Sequence, residues 1–352
     1  MDSLIHKDKE KGIVLSSKIL LARNFSNLHF PNKLNYIKGR DNGKKIYSVL
    51  KNELIDEELT LYEIWNTKEE FGKQYLEKDL ITEELIRNSD KGSFILNKEE
   101  TLSIMINEKD HVRLQYMSEG LNLEEAFQKA TSIDDKIERN FDYAFDENLG
   151  YLTTSPENIG TGMKASVIIH LPALTMSEEI KNISKNLSKI GMSIKGMYLD
   201  GTNVYGNLYR ITNKISLGLT EEDIIIKLKE AVLNIIVEEN KFREILLSKC
   251  RYELDDKVYR AYGILKCAIL LDSKETIELL SNVRLGAELS LIDIDKNKLD
   301  KLLILTSNSS IQNYLGRYLD EKEIKYERAK LVKKILNWRT DRRFEKVWNI
   351  IN

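Results

Sequence analysis

Apolar residues change their spacing several times along the chain, and each change marks a new element. Ile13-Val14-Leu15-Ser16-Ser17 reads as a first strand. Residues 45–88 then carry helical spacing, with Leu50, Leu54, Leu59 and Ile64 followed by Phe71, Tyr75 and Leu80. Phe94-Ile95-Leu96 and Leu102 to Ile106 read as adjacent strands, and Val112 to Met117 as a third. Leu123 to Ile137 is predicted as an acidic amphipathic helix, with Asn122 as N-cap ahead of Glu124 and Glu125. Ala165 to Leu171 is a strand stopped by Pro172, and Ser177 opens a helix through Leu187. Ile194 to Tyr198 and Leu208 to Ser216 form a strand pair around a loop rich in Gly and Asn. Thr220 with Asp223 signals the start of a helix running to about Glu239. Beyond Lys241 the spacing is helical over 241–269, 274–282, 297–305, 309–318 and 322–350.

The prolines sharpen this division. Pro31, Pro156 and Pro172 all lie in the first half, so nothing forbids long helices from residue 173 onward. The expected fold is α+β, with a sheet-bearing domain over residues 1–240 and a helical domain over 241–352. A chain of 352 residues can bury two cores. Its 42% hydrophobic and 31% charged residues are an ordinary globular balance.

Charge and cysteine content exclude some functions. With 54 basic and 56 acidic residues the net charge is −2, which gives no basic field for nucleic acid or an anionic membrane. Cys250 and Cys267 are the only cysteines, so a disulfide framework is not expected. Met1 to Gly12 is charged rather than signal-like, and no run of about 18 apolar residues occurs. A cytoplasmic protein is expected.

The chemistry concentrates at the end of the second of the three central strands. Ile104-Met105-Ile106 runs into Asn107-Glu108-Lys109-Asp110-His111, with Val112 and Arg113 behind. A rigid strand ending in acids, a histidine and an arginine can point a catalytic set out of a sheet. An ordinary strand end with a solvated turn would look similar.

Asn107 to Arg113 resembles the N-E-E-D-H-L-R signature of the ATP:guanido phosphotransferases, the creatine and arginine kinases. Tyr151-Leu152-Thr153-Thr154-Ser155-Pro156-Glu157-Asn158-Ile159-Gly160-Thr161-Gly162 is similar to that family's L-T-x-C-P-x-N-x-G-T-G. Asp256 to Leu265 resembles the D-R-x-Y-R-A-Y-G-x-L of the bacterial protein arginine kinase branch. The resemblance spans nearly the whole chain. It implies an antiparallel sheet flanked by helices, ATP as phosphoryl donor, and Mg²⁺ carried with the nucleotide. The triphosphate needs cations to hold it in line. The protonated guanidinium, with a pKa above about 12, needs carboxylates to grip it and take its proton.

The matched positions name the site. Glu108 would be the first acid, and Asp200 the second, where the family pattern has a glutamate. Ser155 stands where the family has the cysteine that orients the guanidino group. Ser16, Ser17, Lys18, Arg113, Lys164, Ala165, Ser166 and Lys195 would hold ATP phosphates. Several positions depart from the pattern. Lys18, Lys164 and Lys195 replace arginines and offer a point charge rather than a fork. Leu20 replaces another arginine, Asp79 a nucleotide-contacting histidine, and Lys109 the second glutamate of the signature. In the tail, Arg328 and Ala329 are what remains of the branch's R-D-x-x-R-A phosphoarginine motif.

Two functions follow. The first is ATP-dependent phosphorylation of arginine in proteins, linked in the family to stress response and Clp-type degradation. It implies as partners protein substrates with exposed arginine, an activator protein, a stress-gene repressor, a Clp ATPase and a second copy of the chain. The second is a pseudokinase that binds a partner without turnover. Glu108 and Arg113 argue for catalysis, Leu20 and Asp79 against it. A small-molecule phosphagen kinase is the weakest reading, because it leaves the helical tail without a role.

Overall fold

The computed structural model describes residues 12–67, 69–200 and 203–336. The chain opens with β1 (Val14–Arg23), α1 (Tyr36–Glu53), β2 (Leu59–Glu63), α2 (Glu69–Glu77) and α3 (Glu83–Arg87). Three strands follow, β3 (Ser93–Asn97), β4 (Leu102–Ile106) and β5 (Val112–Glu119), and then α4 (Leu123–Glu138). A small ribbon, β6 (Phe145–Asp146) and β7 (Gly150–Tyr151), leads to β8 (Met163–His170). Helices α5 (Pro172–Met176) and α6 (Ile180–Lys189) precede the hairpin of β9 (Met192–Asp200) and β10 (Asn203–Asn213). The rest is helical: α7 (Glu221–Lys249), α8 (Arg251–Cys267), α9 (Ser273–Glu288), α10 (Lys296–Leu305), α11 (Asn308–Leu315) and α12 (Glu321–Leu336).

Eight strands form one sheet in the order β2-β3-β4-β5-β1-β8-β10-β9. Every described pairing in it is antiparallel. The α+β architecture expected from the sequence is therefore observed. Strand β1 lies at the centre and is buried on both faces. Its odd-numbered residues Ile19 and Leu21 join a large core with Ala126, Ala130 and Ile133 of α4 and Leu228, Val232 and Ile235 of α7. Its even-numbered residues Leu20 and Ala22 turn to the opposite face, where they meet Tyr75, Leu80, Leu85, Phe94 and Met105. This second, smaller core covers one end of the sheet; the rest of that face carries polar side chains.

Several elements differ from the sequence reading. Residues 59–63 form an edge strand rather than part of a helix. Leu59 and Leu61 pack on the large core while Tyr62 stacks on Phe94 with ring centroids 4.9 Å apart, an alternation of period two. Asn122 precedes α4, but its side chain donates to the Glu119 carbonyl instead of capping the helix. Ser177 ends the short α5 rather than opening the next helix. The last predicted segment, 322–350, is helical through Leu336, and its remainder lies outside the described residues.

Helix α7 starts as expected, with a reciprocal capping box between Thr220 and Asp223. It then runs through residue 240 to Lys249, past the expected end near Glu239. Glu239 and Arg243 look like a solvated helix end in the sequence, yet both are buried. Glu239 accepts hydrogen bonds from the Ala173 and Leu174 amides at the start of α5. Arg243 pairs with Glu239 at 2.8 Å and with Glu288 of α9 at 2.7 Å. Arg284 adds a bond to Glu288 at 2.9 Å and also pairs with Asp300. This buried ionic network ties α9 to α7 and, through Glu239, to the start of α5. Removing Arg243 would leave the Glu239 carboxylate buried without its ion pair.

Helix α9 also packs against β10. The Ser281 hydroxyl there lies 2.8 Å from His170 Nε2 and accepts from Asn207 Nδ2 at 2.8 Å. Burial, with Arg284 and Arg243 nearby, holds the His170 pKa well below 6.5. The unfolded chain protonates near 6.5 and so binds more protons than the folded one below that pH. Stability contributed by neutral His170 is thus present above about 6.5 and lost as pH falls, by up to about 1.4 kcal/mol per unit. Urea unfolding at pH 7, 6 and 5 should show this decline, and His170→Asn should flatten part of it. An identical slope in the variant would assign the acid sensitivity to other groups.

Candidate active site

Residues paired across neighbouring strands share a face of the sheet. Pairing of β1 with β5 sets Ala22 beside Arg113, Leu20 beside Gln115 and Lys18 beside Met117. On the other side of β1, Leu20 lies beside Lys164 and Lys18 beside Ser166. Strand β10 places Thr212 beside Ser166 and Arg210 beside Ile168, and β9 places Lys195 beside Arg210. Lys18, Arg113, Lys164, Lys195 and Arg210 therefore project from one face, with Ser16 and Ser166 among them. Ser17 and Ala165 do not. Ser17 donates to the Gly120 carbonyl and accepts from the Asn122 amide, and Ala165 lies in the large core. In an alternating strand, a run of consecutive matched residues cannot all face the same ligand.

Glu108 sits in the tight turn between β4 and β5. Asn107 enters that turn at φ 57°, a left-handed conformation that Asn tolerates. Its side chain donates to the Gly39 and Lys91 carbonyls, and Asn88 donates to the Glu108 carbonyl at 2.8 Å. So anchored, the Glu108 carboxylate is buried and takes three partners. Arg113 Nη1 reaches both its oxygens at 2.7 Å, Thr82 donates at 2.7 Å, and the Lys109 amide donates at 2.5 Å. Burial alone would raise its pKa, but the Arg113 charge and these hydrogen bonds bring it below the usual carboxylate range.

His111 is a structural member of the motif. Its Nδ1 accepts from the Phe25 amide at 3.1 Å and its Nε2 faces the His29 carbonyl at 2.9 Å. These partners fix the neutral tautomer protonated on Nε2. Burial lowers its pKa to about 4. Asp110 accepts from Asn24 at 2.8 Å and from the Thr154 amide at 2.7 Å, while Thr154 donates to the Lys109 carbonyl at 2.7 Å. The two sequence motifs are thereby tied together, and Ser155 is set beside the Glu108 turn at the head of a short 3₁₀ turn, Pro156–Asn158. Lys164 pairs with Glu157 of that turn at 2.9 Å. The Glu157 carboxyl is held below its usual range first by Lys164, with smaller contributions from Lys109 and Lys195. The Asp200 side chain lies outside the described residues.

Asp79 occupies the middle of the cationic face. It follows α2 at φ 60°. Its carboxylate meets Lys18 Nζ and lies 2.5 Å from Arg210, while its carbonyl accepts from Gln115 Nε2 at 2.7 Å. Burial would raise the Asp79 pKa, but Lys18 and Arg210 hold it below the carboxylate norm. Burial in turn drops the Lys18 pKa to about 8, with Asp79 opposing and Arg210 and Arg113 adding to the fall. Arg210, Gln115 and Thr82 were not singled out in the sequence. Arg210 could have been: it alternates with the core residues Tyr209 and Ile211 on a predicted strand, which places it on the opposite face.

Arg328, the remnant of the tail motif, is buried and engaged within the helical domain. It donates to the Thr306 carbonyl at 2.7 Å, to the Leu271 carbonyl at 2.8 Å and to the Asn308 side chain. Its guanidinium pins the turn between α10 and α11 rather than opening toward a ligand. Among the described residues, no three His, Cys, Asp or Glu side chains converge on a point that could hold a metal ion.

Comparison with known proteins agrees with this geometry. Residues 42–242 match the model of the ATP:guanido phosphotransferase C-terminal catalytic domain, and residues 251–346 that of the protein-arginine kinase McsB C-terminal domain. The protein-arginine kinase of Clostridium botulinum is 58% identical over 327 residues, 93% of this chain and 96% of that one. That of Bacillus cereus is 39% identical and covers 93% of both chains. A crystal structure of lombricine kinase superposes with a TM-score of 0.56 at 25% identity, over 65% of this chain and 66% of the other.

If the cationic face holds an anion, the shifted Lys18 makes that binding pH-dependent. A polyphosphate would select the ammonium form, which is lost from the free protein above about pH 8. Titration with tripolyphosphate at constant ionic strength should show affinity falling above that pH, approaching about tenfold per unit. Lys18→Arg should abolish the fall, because arginine stays charged. A fall that survives the substitution would place the titrating group elsewhere.

Proposed function

This chain belongs to the ATP:guanido phosphotransferase family, in its protein-arginine kinase branch, and on that footing we propose that it transfers the terminal phosphoryl group of ATP to arginine side chains of proteins. Mg²⁺ would travel with the nucleotide, held by its phosphates rather than by a protein cage, and would offset their charge. Modified proteins would be directed to Clp-type degradation, and a phosphorylated repressor would release stress genes.

The observation that carries this reading is the juxtaposition of the cationic face with buried Glu108 at its edge. The cations fit the role of a phosphate cradle. Arg113 and Arg210 each keep a buried Nε–H without a hydrogen-bond acceptor, a spare donor for an anionic oxygen. The partners of Glu108 suggest how it becomes a base. With Arg113 in place the carboxylate stays ionised and weakly basic. If Arg113 turns to the phosphates, the largest influence holding the Glu108 pKa down is removed and the pKa rises, while Thr82 and the Lys109 amide keep the carboxylate in place. A substrate guanidinium can then take the place of Arg113 on the carboxylate. Glu108 accepts one N–H proton, that nitrogen bonds to the terminal phosphorus, and the bond from phosphorus to the ADP oxygen breaks. Asp200 would grip the other side of the fork, and Ser155, beside the Glu108 turn, would help orient it.

The pseudokinase alternative rests on Leu20, which packs in the smaller core and brings no charge, and on Asp79 standing among the cations. One incubation separates the two. Wild type with radiolabelled ATP, Mg²⁺ and casein should produce slow labelling, acid-labile as expected for a phosphorus–nitrogen bond. Glu108→Gln keeps the shape without the proton acceptor and should abolish it. Asp200→Glu restores the family's longer acid and should raise the rate. If wild type at saturating ATP is as silent as Glu108→Gln, the partner-binding reading replaces the kinase.

A further inference from the structure

The kinase reading leaves an imbalance in the cradle. Leu20 stands where the resemblance implies an arginine, and it is packed against Tyr75, Leu80 and Phe94. Yet the same face carries an arginine that no matched motif includes, Arg210 of β10. Its neighbours across the sheet are Ile168 and Lys195, and its guanidinium meets the Asp79 carboxylate that also meets Lys18. Resting on the kinase reading, we infer that Arg210 is a phosphate-binding residue of this chain, and that the Asp79 carboxylate occupies its place and that of Lys18 until a nucleotide polyphosphate displaces it.

Three features support the substitution of one anion for another. First, the carboxylate is held by side-chain cations that could equally take a phosphate oxygen: the ammonium of Lys18 and the guanidinium of Arg210 both meet one oxygen, Asp79 Oδ2, as they would a single phosphate oxygen. Second, Arg210 is not saturated by Asp79. Its buried Nε–H has no acceptor, so a larger anion with more oxygens would satisfy a donor that the carboxylate leaves over. Third, Asp79 presents its carboxylate from a connection, with its own carbonyl held by Gln115. It lies on the short link Lys78 to Thr82 between α2 and α3, in a left-handed backbone conformation, and its side chain is 32% exposed while Lys18 is 10% exposed. The cations are fixed on strands; the anion is on a connection. Displacement therefore needs a rotation of the Asp79 side chain and no change in the sheet.

This arrangement gives Asp79 a definite effect on affinity. It neutralises the cradle when empty, so a nucleotide gains only the difference between its own contacts and those of Asp79. Removing the carboxylate should tighten polyphosphate binding, and removing Arg210 should weaken it.

Calorimetric titration with ATP–Mg²⁺ and separately with tripolyphosphate–Mg²⁺, at one ionic strength, tests both halves. Arg210→Ala should weaken both ligands by a similar factor, about tenfold or more, as expected for a lost charge-assisted hydrogen bond. Arg210→Lys should recover part of the loss and serves if the alanine variant does not fold. Asp79→Asn should tighten both ligands, and its gain should shrink in the Arg210→Ala background, where one of the two cations it restrains is gone. Glu83→Gln, which removes an exposed charge on α3, controls for net charge and should change little. The inference fails if Arg210→Ala leaves both affinities within about twofold of wild type, less than one ordinary hydrogen bond contributes. It fails equally if Asp79→Asn weakens binding, or if Glu83→Gln tightens it as much as Asp79→Asn does. Intact affinity in Arg210→Ala beside normal casein labelling by wild type would overturn this inference alone. A wild type that binds neither ligand would overturn the kinase reading with it.

Discussion

Cations gathered on one face of a sheet repel each other, and the structure around this site is arranged to neutralise them. Arg113 is answered by Glu108, Lys164 by Glu157, and Lys18 with Arg210 by Asp79. Each acid comes from a turn or connection at the rim of the sheet, while each cation stands on a strand. This asymmetry follows from what each element can do. A strand in the middle of an antiparallel sheet is locked by hydrogen bonds on both sides and fixes the cations relative to one another. The acids differ in how they are held: Glu108 sits in a turn anchored by Asn107 and Asn88, whereas Asp79 and Glu157 stand on connections with no ladder of their own.

The cradle can be rigid because its far side is apolar. Ile19, Leu21, Ala165, Val167, Ile169 and Ile211 alternate with the site residues on the same strands and pack beneath α4 and α7. A one-residue slip of register would exchange the two sets and bury the charges, so the core that stabilises the fold also dictates which side the site faces. The helical domain is tied to the same frame. Glu239 and Arg243 on α7 and Glu288 on α9 form a buried network, and Glu77, at the end of the helix that leads to Asp79, accepts from the Ser309 amide at the start of α11.

Much of this was legible in the sequence, and the failures have physical reasons. The three central strands, the capping box at Thr220 and the turn bearing Glu108 were readable because period and cap chemistry are local. Strand β2 was missed because Leu50, Leu54, Leu59 and Ile64 continue a near-helical spacing that only the Phe94 partner resolves. The end of α7 was misplaced because buried charge pairs look like a solvated terminus until their partners on α5 and α9 are known. Ser17 and Ala165 were assigned to the ligand by motif membership, although the alternation of their own strands already turns them away. Arg210 was overlooked for the opposite reason: it belongs to no motif, and only sheet register brings it to Lys18. His111 belongs to the signature without touching the ligand face: its two ring nitrogens hold the backbone at Phe25 and His29.

The lysines of the cradle alter more than geometry. A guanidinium remains charged when buried, whereas an ammonium under the same burial yields part of its basicity, as Lys18 does in falling to about 8. An acid beside such a lysine stabilises its charged form, and the lysine does the same for the acid. Asp79 and Lys18 are therefore coupled, and neither is a neutral replacement for a family residue in isolation. Where an arginine cradle could stay charged without a resident carboxylate, one built on a buried lysine is stabilised by having an anion at hand. The same logic places Arg210 beside Lys18: the guanidinium helps keep Asp79 ionised, so the carboxylate remains available to support the ammonium. Leu20, Lys18, Asp79 and Arg210 read together as one rearrangement, in which a fork lost from β1 is matched by a fork on β10 and the space between is held by an acid from the rim.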